Sequence, residues 1–256
     1  MGALLEIRGL AKSFGAFKAV DDVQFNVERG EVLGFLGPNG AGKSTTMKMI
    51  TGFLAPDRGT AVVAGHDVTQ AAVEAKRRIG YLPEGAPAYP DMTPLAFLDF
   101  VGEMRGMGKA ERRRRIDEVI QRVNLEGQLK KPIEVLSKGY KRRVGLAQAI
   151  LHDPEVLIMD EPTDGLDPNQ KHEVRNLIQD MGREKAIVLS THILEEVEAV
   201  CTRAIIINRG RLVFDGTPSA LEAKAGPEIS RNRLDHVFRS LTTSDVGAQP
   251  TVGGPA

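Results

Sequence analysis

The chain has 256 residues, enough for one large domain or two lobes sharing a core, and 34 Lys and Arg balance 34 Asp and Glu. The zero net charge argues against a dedicated nucleic-acid binder, and a single cysteine, Cys201, excludes an intrachain disulfide and fits a reducing compartment. No apolar run reaches the roughly 18 residues of a membrane span, and Met1 to Leu10 lacks the basic and apolar segments of a signal peptide. A soluble chain is expected, with any membrane part supplied by another chain.

Leu5-Glu6-Ile7-Arg8 and Val23-Gln24-Phe25-Asn26-Val27 alternate apolar and polar residues, which predicts half-exposed antiparallel strands. Lys12-Ser13-Phe14-Gly15 between them reads as a turn. Its Phe14, placed one strand ahead of the next motif, either packs in that turn or offers its ring to a nucleotide base. Val32 to Leu36 is an apolar strand. Gly37-Pro38-Asn39-Gly40-Ala41-Gly42-Lys43-Ser44-Thr45 follows, and Met47 to Ile50 continues as a helix. In a strand–loop–helix setting this spacing reads as a phosphate cradle. Its glycines let backbone N–H groups turn inward, and the positive end of the helix adds to them. Lys43 would reach the β- and γ-phosphates, and the Ser44 hydroxyl would bind Mg²⁺.

Pro56 to Gly59 is a turn and Ala61 to Ala64 a short strand. Asp67 to Arg78 reads as a loop entering a helix with Thr69 as its N-cap. Ile79 to Glu84 is a strand ending in a proline. From Asp91 to His152 the pattern turns helical. Thr93-Pro94 caps a helix whose apolar positions are Leu95, Leu98, Val101 and Met104. Ile116, Val119, Ile120 and Val123 mark a second helix, with Arg112 to Arg115 before it as a solvated run or else a site for acidic lipid or a partner. Leu136-Ser137-Lys138-Gly139-Tyr140 opens a third, with Ser137 as N-cap and Val144, Ala147 and Leu151 facing the core. Val156 to Met159 is continuously apolar, as a strand buried on both faces must be. Val174, Leu177, Ile178 and Met181 mark a helix, and Ile187 to Leu189 a second buried strand. Ile193, Leu194, Val197 and Val200 mark another helix, and a hairpin turns at Asn208-Arg209-Gly210. Alternating strands and helices predict an α/β fold: a mostly parallel sheet with helices on both faces, a β segment ahead of it and a helical lobe inserted. Leu234, Val237, Phe238 and Leu241 predict a short helix docked on the body, and 242–256 a disordered end.

Ligand sites of such sheets gather at the carboxyl ends of the strands. Asp160 ends one buried strand and suits a metal-bound water. Glu161 follows it and can serve as general base towards an attacking water. His192 ends the neighbouring strand, where it can touch a γ-phosphate. Ser137 and Gly139 offer a hydroxyl and a helix N-terminus, a second anion site on the helical lobe and far from Lys43. Two chains head to tail, each lobe completing the other's site, would use it.

Taken together, Gly37 to Thr45, Leu136 to Tyr140, Val156 to Glu161, Asp164-Gly165-Leu166-Asp167 and His192 resemble the nucleotide-binding subunits of ATP-binding cassette (ABC) transporters. The likeness spans about Leu4 to Pro218. It implies a P-loop NTPase core with an antiparallel β subdomain, an ATP-binding domain over 1–225 with its helical subdomain at about 91–152, and a tail over 226–256. It also implies ATP and Mg²⁺ as ligands. Phe14 would stack on adenine with help from Val20, and Asp167 would belong to the nucleotide site. The partners implied are a second like or paralogous copy and a multi-span membrane permease, reached through the groove beside Glu84 and the helical lobe. No nucleic acid is expected, and the place of work is the cytoplasmic face of the inner membrane.

Glu84 stands where the family usually has Gln, and Leu-Ser-Lys-Gly-Tyr where it has Leu-Ser-Gly-Gly-Gln. With Tyr81-Leu82-Pro83-Glu84, this looks like the ABC-2-type export branch, which includes gliding-motility and copper-enzyme maturation ATPases. Glu84 then serves as a metal ligand in place of Gln. Lys138 is either solvated or offsets the charge of Glu84 across the dimer. A soluble ABC ATPase acting on ribosomes or DNA is the alternative, although such proteins usually carry two cassettes or a long coiled coil. A regulatory GTPase would need an Asn-Lys-x-Asp motif, which the chain lacks.

Overall fold

A computed structural model describes residues 2–226, 229 and 231–243. The described strands are β1 (Leu5–Phe14), β2 (Phe17–Val27), β3 (Val32–Leu36), β4 (Arg58–Val63), β5 (His66–Asp67), β6 (Ile79–Leu82), β7 (Val156–Asp160), β8 (Ala186–Thr191), β9 (Arg203–Asn208) and β10 (Arg211–Gly216). The helices are α1 (Lys43–Ile50), α2 (Ala72–Arg78), α3 (Pro94–Met104), α4 (Lys109–Arg122), α5 (Lys138–Ile150), α6 (Pro168–Gly182), α7 (Leu194–Val200), α8 (Pro218–Glu222) and α9 (Arg233–Thr243). One sheet is antiparallel, in the order β2-β1-β4-β5. The other runs β10-β9-β3-β8-β7-β6 and is parallel from β9 to β6, with β10 antiparallel at its edge.

Strand alternation decides what each face of the parallel sheet meets. Leu33 and Phe35 of β3, Val156 and Ile158 of β7, and Ala186 and Val188 of β8 point one way. There they pack on α1 and on Leu5, Ile7, Val23 and Val27 of the antiparallel sheet. Leu157, Met159, Ile187 and Leu189 point the other way, into Leu98, Ile116, Val144 and Ile178 of the helices. Leu36, Ala204 and Ile206 pack with α7 and α8 and with Leu234 and Val237 of α9, so the last helix docks on the body. Gly34 of β3 faces α7 closely, since a methyl group there would lie 2.9 Å from the Cys201 sulphur.

Several local features depart from the sequence reading. Lys12, Ser13 and Phe14 belong to β1, and only Gly15 and Ala16 turn the hairpin; two strands, not one, separate Phe14 from the phosphate loop. Thr69 does not cap α2, whose cap position is Ala71. Asp67 holds the preceding turn instead, accepting from Thr69 N and Oγ1 and from Gln70 N, and it is already spent there. Leu95 (45% exposed) and Met104 (72% exposed) face outward; α3 buries Leu98, as expected, together with Phe97. The basic run is only partly solvated. Arg112 pairs with Asp99 at 2.6 Å, fastening α4 to α3. Arg115 donates to the carbonyls of Leu151 and Ile150, closing the C-terminus of α5 as cationic side chains favour. Thr242 and Thr243 complete α9, and the expected disordered end, 244–256, lies outside the described residues.

α5 lies along β6, with Gln148 donating to Tyr81 O at 2.7 Å. Just past it, His152 Nε2 donates to Ile79 O at 3.0 Å, which leaves Nδ1 as the unprotonated nitrogen, buried without a partner. Burial, helped by the nearby Arg105 charge, holds this imidazole down from its usual 6.5 to about 4. An imidazole that is less basic folded than unfolded takes up its proton on unfolding. Its contribution is therefore complete above pH 6.5 and is lost as the pH falls from 6.5 towards 4. The expected loss is up to about 3 kcal/mol. Urea unfolding from pH 7 to pH 4.5 should show a steeper decline in the parent than in His152→Gln; parallel declines would remove His152 as the cause.

Candidate nucleotide site

The parallel register brings the carboxyl ends of four strands to one edge. Leu36 stands beside Thr191, Asp160 beside Ser190, and Leu82 beside Met159. The phosphate loop leaves β3 there and enters α1 through Gly42, whose φ is 109°. A side chain at Gly42 would also lie 2.5 Å from Ala19 O, so both conformation and space demand glycine. Beside the loop opens a cleft of about 330 Å³ lined by Phe14, Phe17, Ala19, Asn39, Gly40, Gly42, Lys43, Ser44, Thr45, Glu84 and Glu161.

Lys43 is buried, and its ammonium donates to Gly37 O at 2.7 Å and Pro38 O at 3.3 Å. Burial lowers its pKa, and the charges of Glu161, Asp160 and Glu84 oppose that fall. One ammonium thus has three carboxylates around it, contributed by the ends of β6 and β7. Asp160 is buried, and its Oδ1 accepts from the Ser190 hydroxyl. Tyr81, nearby on β6, has its hydroxyl pushed up to about 12 by burial and then by the charges of Asp160 and Glu84. Glu161 has a φ of 52°, and its N–H donates to Ser190 O at 3.1 Å. Its carboxylate meets His192 Nδ1, with Oε1 at 3.0 Å and Oε2 at 2.8 Å.

Other residues singled out from the sequence stand differently. Pro38 and Ala41 shape the loop, with Ala41 N donating to Pro38 O, and Ala41 O accepts from Gly210 N. Val20 is 0% exposed and packs behind Gly42 rather than lining the cleft. Phe17, paired with Phe14 across the hairpin tip, and Ala19 are the cleft residues that sequence reading missed; hairpin pairing was the signal for Phe17. Asp167 caps α6, accepting from Gln170 N at 3.0 Å, and does not line the cleft. Ser137 caps α5, accepting from Tyr140 N, and neither it nor Gly139 lines the cleft of its own chain. Gly139 is close-packed, since a methyl group there would lie 2.4 Å from Gln170 Oε1. Lys138 is not simply solvated: it pairs with Asp164 of its own chain at 2.8 Å, which lowers the pKa of that carboxyl. Arg142, which the sequence reading did not single out, is buried beneath the ends of β6 and β7.

A family model described as ABC transporter matches residues 20–164. The Nod factor export ATP-binding protein I of Paraburkholderia xenovorans is 40% identical over 222 residues, which is 86% of this chain and 73% of that protein. The linearmycin resistance ATP-binding protein LnrL of Bacillus subtilis is 36% identical, over 87% of this chain and 72% of that one. NatA, an ABC transporter ATP-binding protein of B. subtilis, is 38% identical over 87% and 90%. Among solved structures, an ATP-binding subunit of an ABC transporter superposes with a TM-score of 0.83 at 32% identity, covering 93% of this chain and 99% of that one. A dimeric ATP-binding cassette with bound ADP and Pi shares the fold, with a TM-score of 0.77 at 23% identity over 84% of this chain and 98% of that one. With its phosphate loop, strand-end carboxylates and helical lobe in this arrangement, the chain belongs to the ATP-binding subunits of ABC transporters, ATPases that pair with one another and with membrane permease subunits.

Proposed function

We propose that this chain is the ATP-hydrolysing subunit of an ABC-2-type exporter, and that it works as a sandwich dimer of like or paralogous copies around two ATP molecules. The observation that carries the reading is the buried Lys43 ammonium ringed by Glu84, Asp160 and Glu161 at the mouth of a glycine-rich loop. A polyphosphate entering the cleft offers oxygens to Lys43 in place of the Gly37 and Pro38 carbonyls. Loop N–H groups and the start of α1 hold the rest of the phosphate chain. Phe14 and Phe17 offer exposed rings to the base at the outer end.

Among the described residues, no group of three His, Cys, Asp or Glu converges as a closed metal cage. Mg²⁺ fits that finding, because it favours hard oxygens and is held by one or two carboxylates together with substrate phosphates. The Ser44 hydroxyl, Glu84 and Asp160 would hold it, and it would supply neutralisation of phosphate charge. Glu161 takes the proton of the attacking water. His192, hydrogen-bonded to the Glu161 carboxylate, orients it, and its other nitrogen is assigned the contact with the γ-phosphate. Ser137 and Gly139 do not line this cleft, so they serve the site of the opposite copy, where the start of α5 meets phosphate.

Export is supported by the names of two relatives, concerned with Nod factor export and linearmycin resistance. No helix among the described residues is long and apolar enough to cross a membrane; the path is assigned to a separate multi-span permease. Exposed Phe53, Tyr89, Leu95 and Met104 supply an apolar surface for it beside β6 and along α3. The subunit then sits peripherally on the cytoplasmic face of the inner membrane.

Glu161→Gln should keep ATP binding and lose at least about 10²-fold in turnover. Unchanged hydrolysis would move the base to another carboxylate. Turnover per molecule should also fall as the protein is diluted and dimers separate; a constant value, with single chains by light scattering, would end the sandwich reading. Because Lys138 is held by Asp164 of its own chain, Glu84→Gln and Lys138→Gly should act additively on ATP-driven dimerisation. A coupling above about 1 kcal/mol would place Lys138 against Glu84 across the dimer.

A further inference from the structure

Arg142 lies in the first half of α5, between two residues of like charge that turn away from the sheet. Lys141 donates to Glu134 O, and Arg143 pairs with Glu173 at 2.5 Å. Arg142 turns inward and is 6% exposed. Its Nε donates to Pro162 O at 3.1 Å and one terminal nitrogen to Pro83 O at 3.3 Å. The other terminal nitrogen donates to Asp160 O at 2.6 Å and to Glu161 O. Four backbone carbonyls, from the ends of β6 and β7, are gathered on one rigid, planar donor set. A buried cation needs such compensation, and these carbonyls supply it.

What the guanidinium holds is unusual backbone. Glu161 has a φ of 52°, in the left-handed region that residues with a side chain rarely adopt. Such a conformation persists only where its surroundings over-determine it. The peptide before it is tied through Glu161 N to Ser190 O, and the peptide after it through Glu161 O to Arg142. Those two planes set the direction of the Cα–Cβ bond, and so the aim of the carboxylate. Pro83, held by the same guanidinium, directly precedes Glu84.

We propose that Arg142 is a positioning residue for hydrolysis: from helix α5 it locks Glu161 in its left-handed conformation, so the helical lobe sets the aim of the base. The inference rests on reading Glu161 as that base. Lysine is a poor replacement, because a single point of charge cannot span carbonyls on two strand ends.

The test uses the full chain with Arg142→Met and Arg142→Lys, each alone and combined with Glu161→Gln. Turnover, ATP affinity and melting temperature are measured on every variant. Arg142→Met should lower kcat at least about tenfold while the Kd for ATP stays within about twofold, and Arg142→Lys should recover part of the loss. In the Glu161→Gln background, Arg142→Met should change the residual rate by less than about twofold, because no base is left to aim. The proposal is overturned if Arg142→Met turns over like the parent, if its loss appears in full in the Glu161→Gln background, or if the loss tracks weakened ATP binding or a smaller folded fraction. Should Arg142→Met not fold, Arg142→Lys carries the same comparisons, and parental turnover in it overturns the proposal equally. If Glu161→Gln alone hydrolyses at the parental rate, the assignment of the base has failed, and this inference falls with it.

Discussion

A lysine ammonium kept inside the protein, with oxygen atoms on every side, is the constraint on which the rest of the site depends. Lys43 would be better hydrated in water, and burial costs it charge stability. The cost is offset by two carbonyls of its own loop and by carboxylates from two further strands. That balance requires β3, β6 and β7 to end at one level, with β8 between β3 and β7 to set the spacing. The parallel register meets the requirement, and the two faces of the sheet meet it in turn, one on α1 and the antiparallel strands, the other on the helical lobe. A site whose cation is held by neutral carbonyls is also one where the oxygens of a polyphosphate can take their place.

The sequence carried the sheet and its ligand-bearing edge well, because those features are written in short range. Continuous apolar runs at Val156 to Met159 and Ile187 to Leu189 mark strands buried on both faces, and their last residues are the chemistry. Glycine spacing at 37–42 marks the phosphate loop for the same reason. What stayed hidden depends on contacts between distant segments. Val20 and Phe17 differ in exposure through the twist and pairing of one hairpin, which no local pattern distinguishes. Thr69 is a good N-cap by residue type, but Asp67 outcompetes it by closing the turn first. Arg112 and Arg115 read as solvated charge and Arg142 gave no signal at all, because a guanidinium's partners here are mostly carbonyls or a single acid far along the chain.

The helical lobe is not loosely attached. α5 is fastened to the sheet towards both ends, through Arg142 in its first half, Gln148 near its C-terminus and His152 just beyond it. Its first turn also touches the segment after β7, by Lys138 to Asp164 and by the close approach of Gly139 to Gln170. α3 and α4 are attached to α5 in turn, by Arg115 and by the shared apolar cluster. The segment that presents Ser137 outward is therefore continuous, through one helix, with the residues around Glu161.

The close fit of Gly34 against Cys201 has a practical side. The chain's single thiol is packed against β3, and burial, with the Glu196 charge adding to it, raises its pKa well above the usual thiol value. At neutral pH little of it is thiolate, so slow reaction with alkylating reagents is expected. A cysteine introduced at an outward position such as Met104 would then take up a fluorophore or spin label almost alone, with the native sulphur left in place.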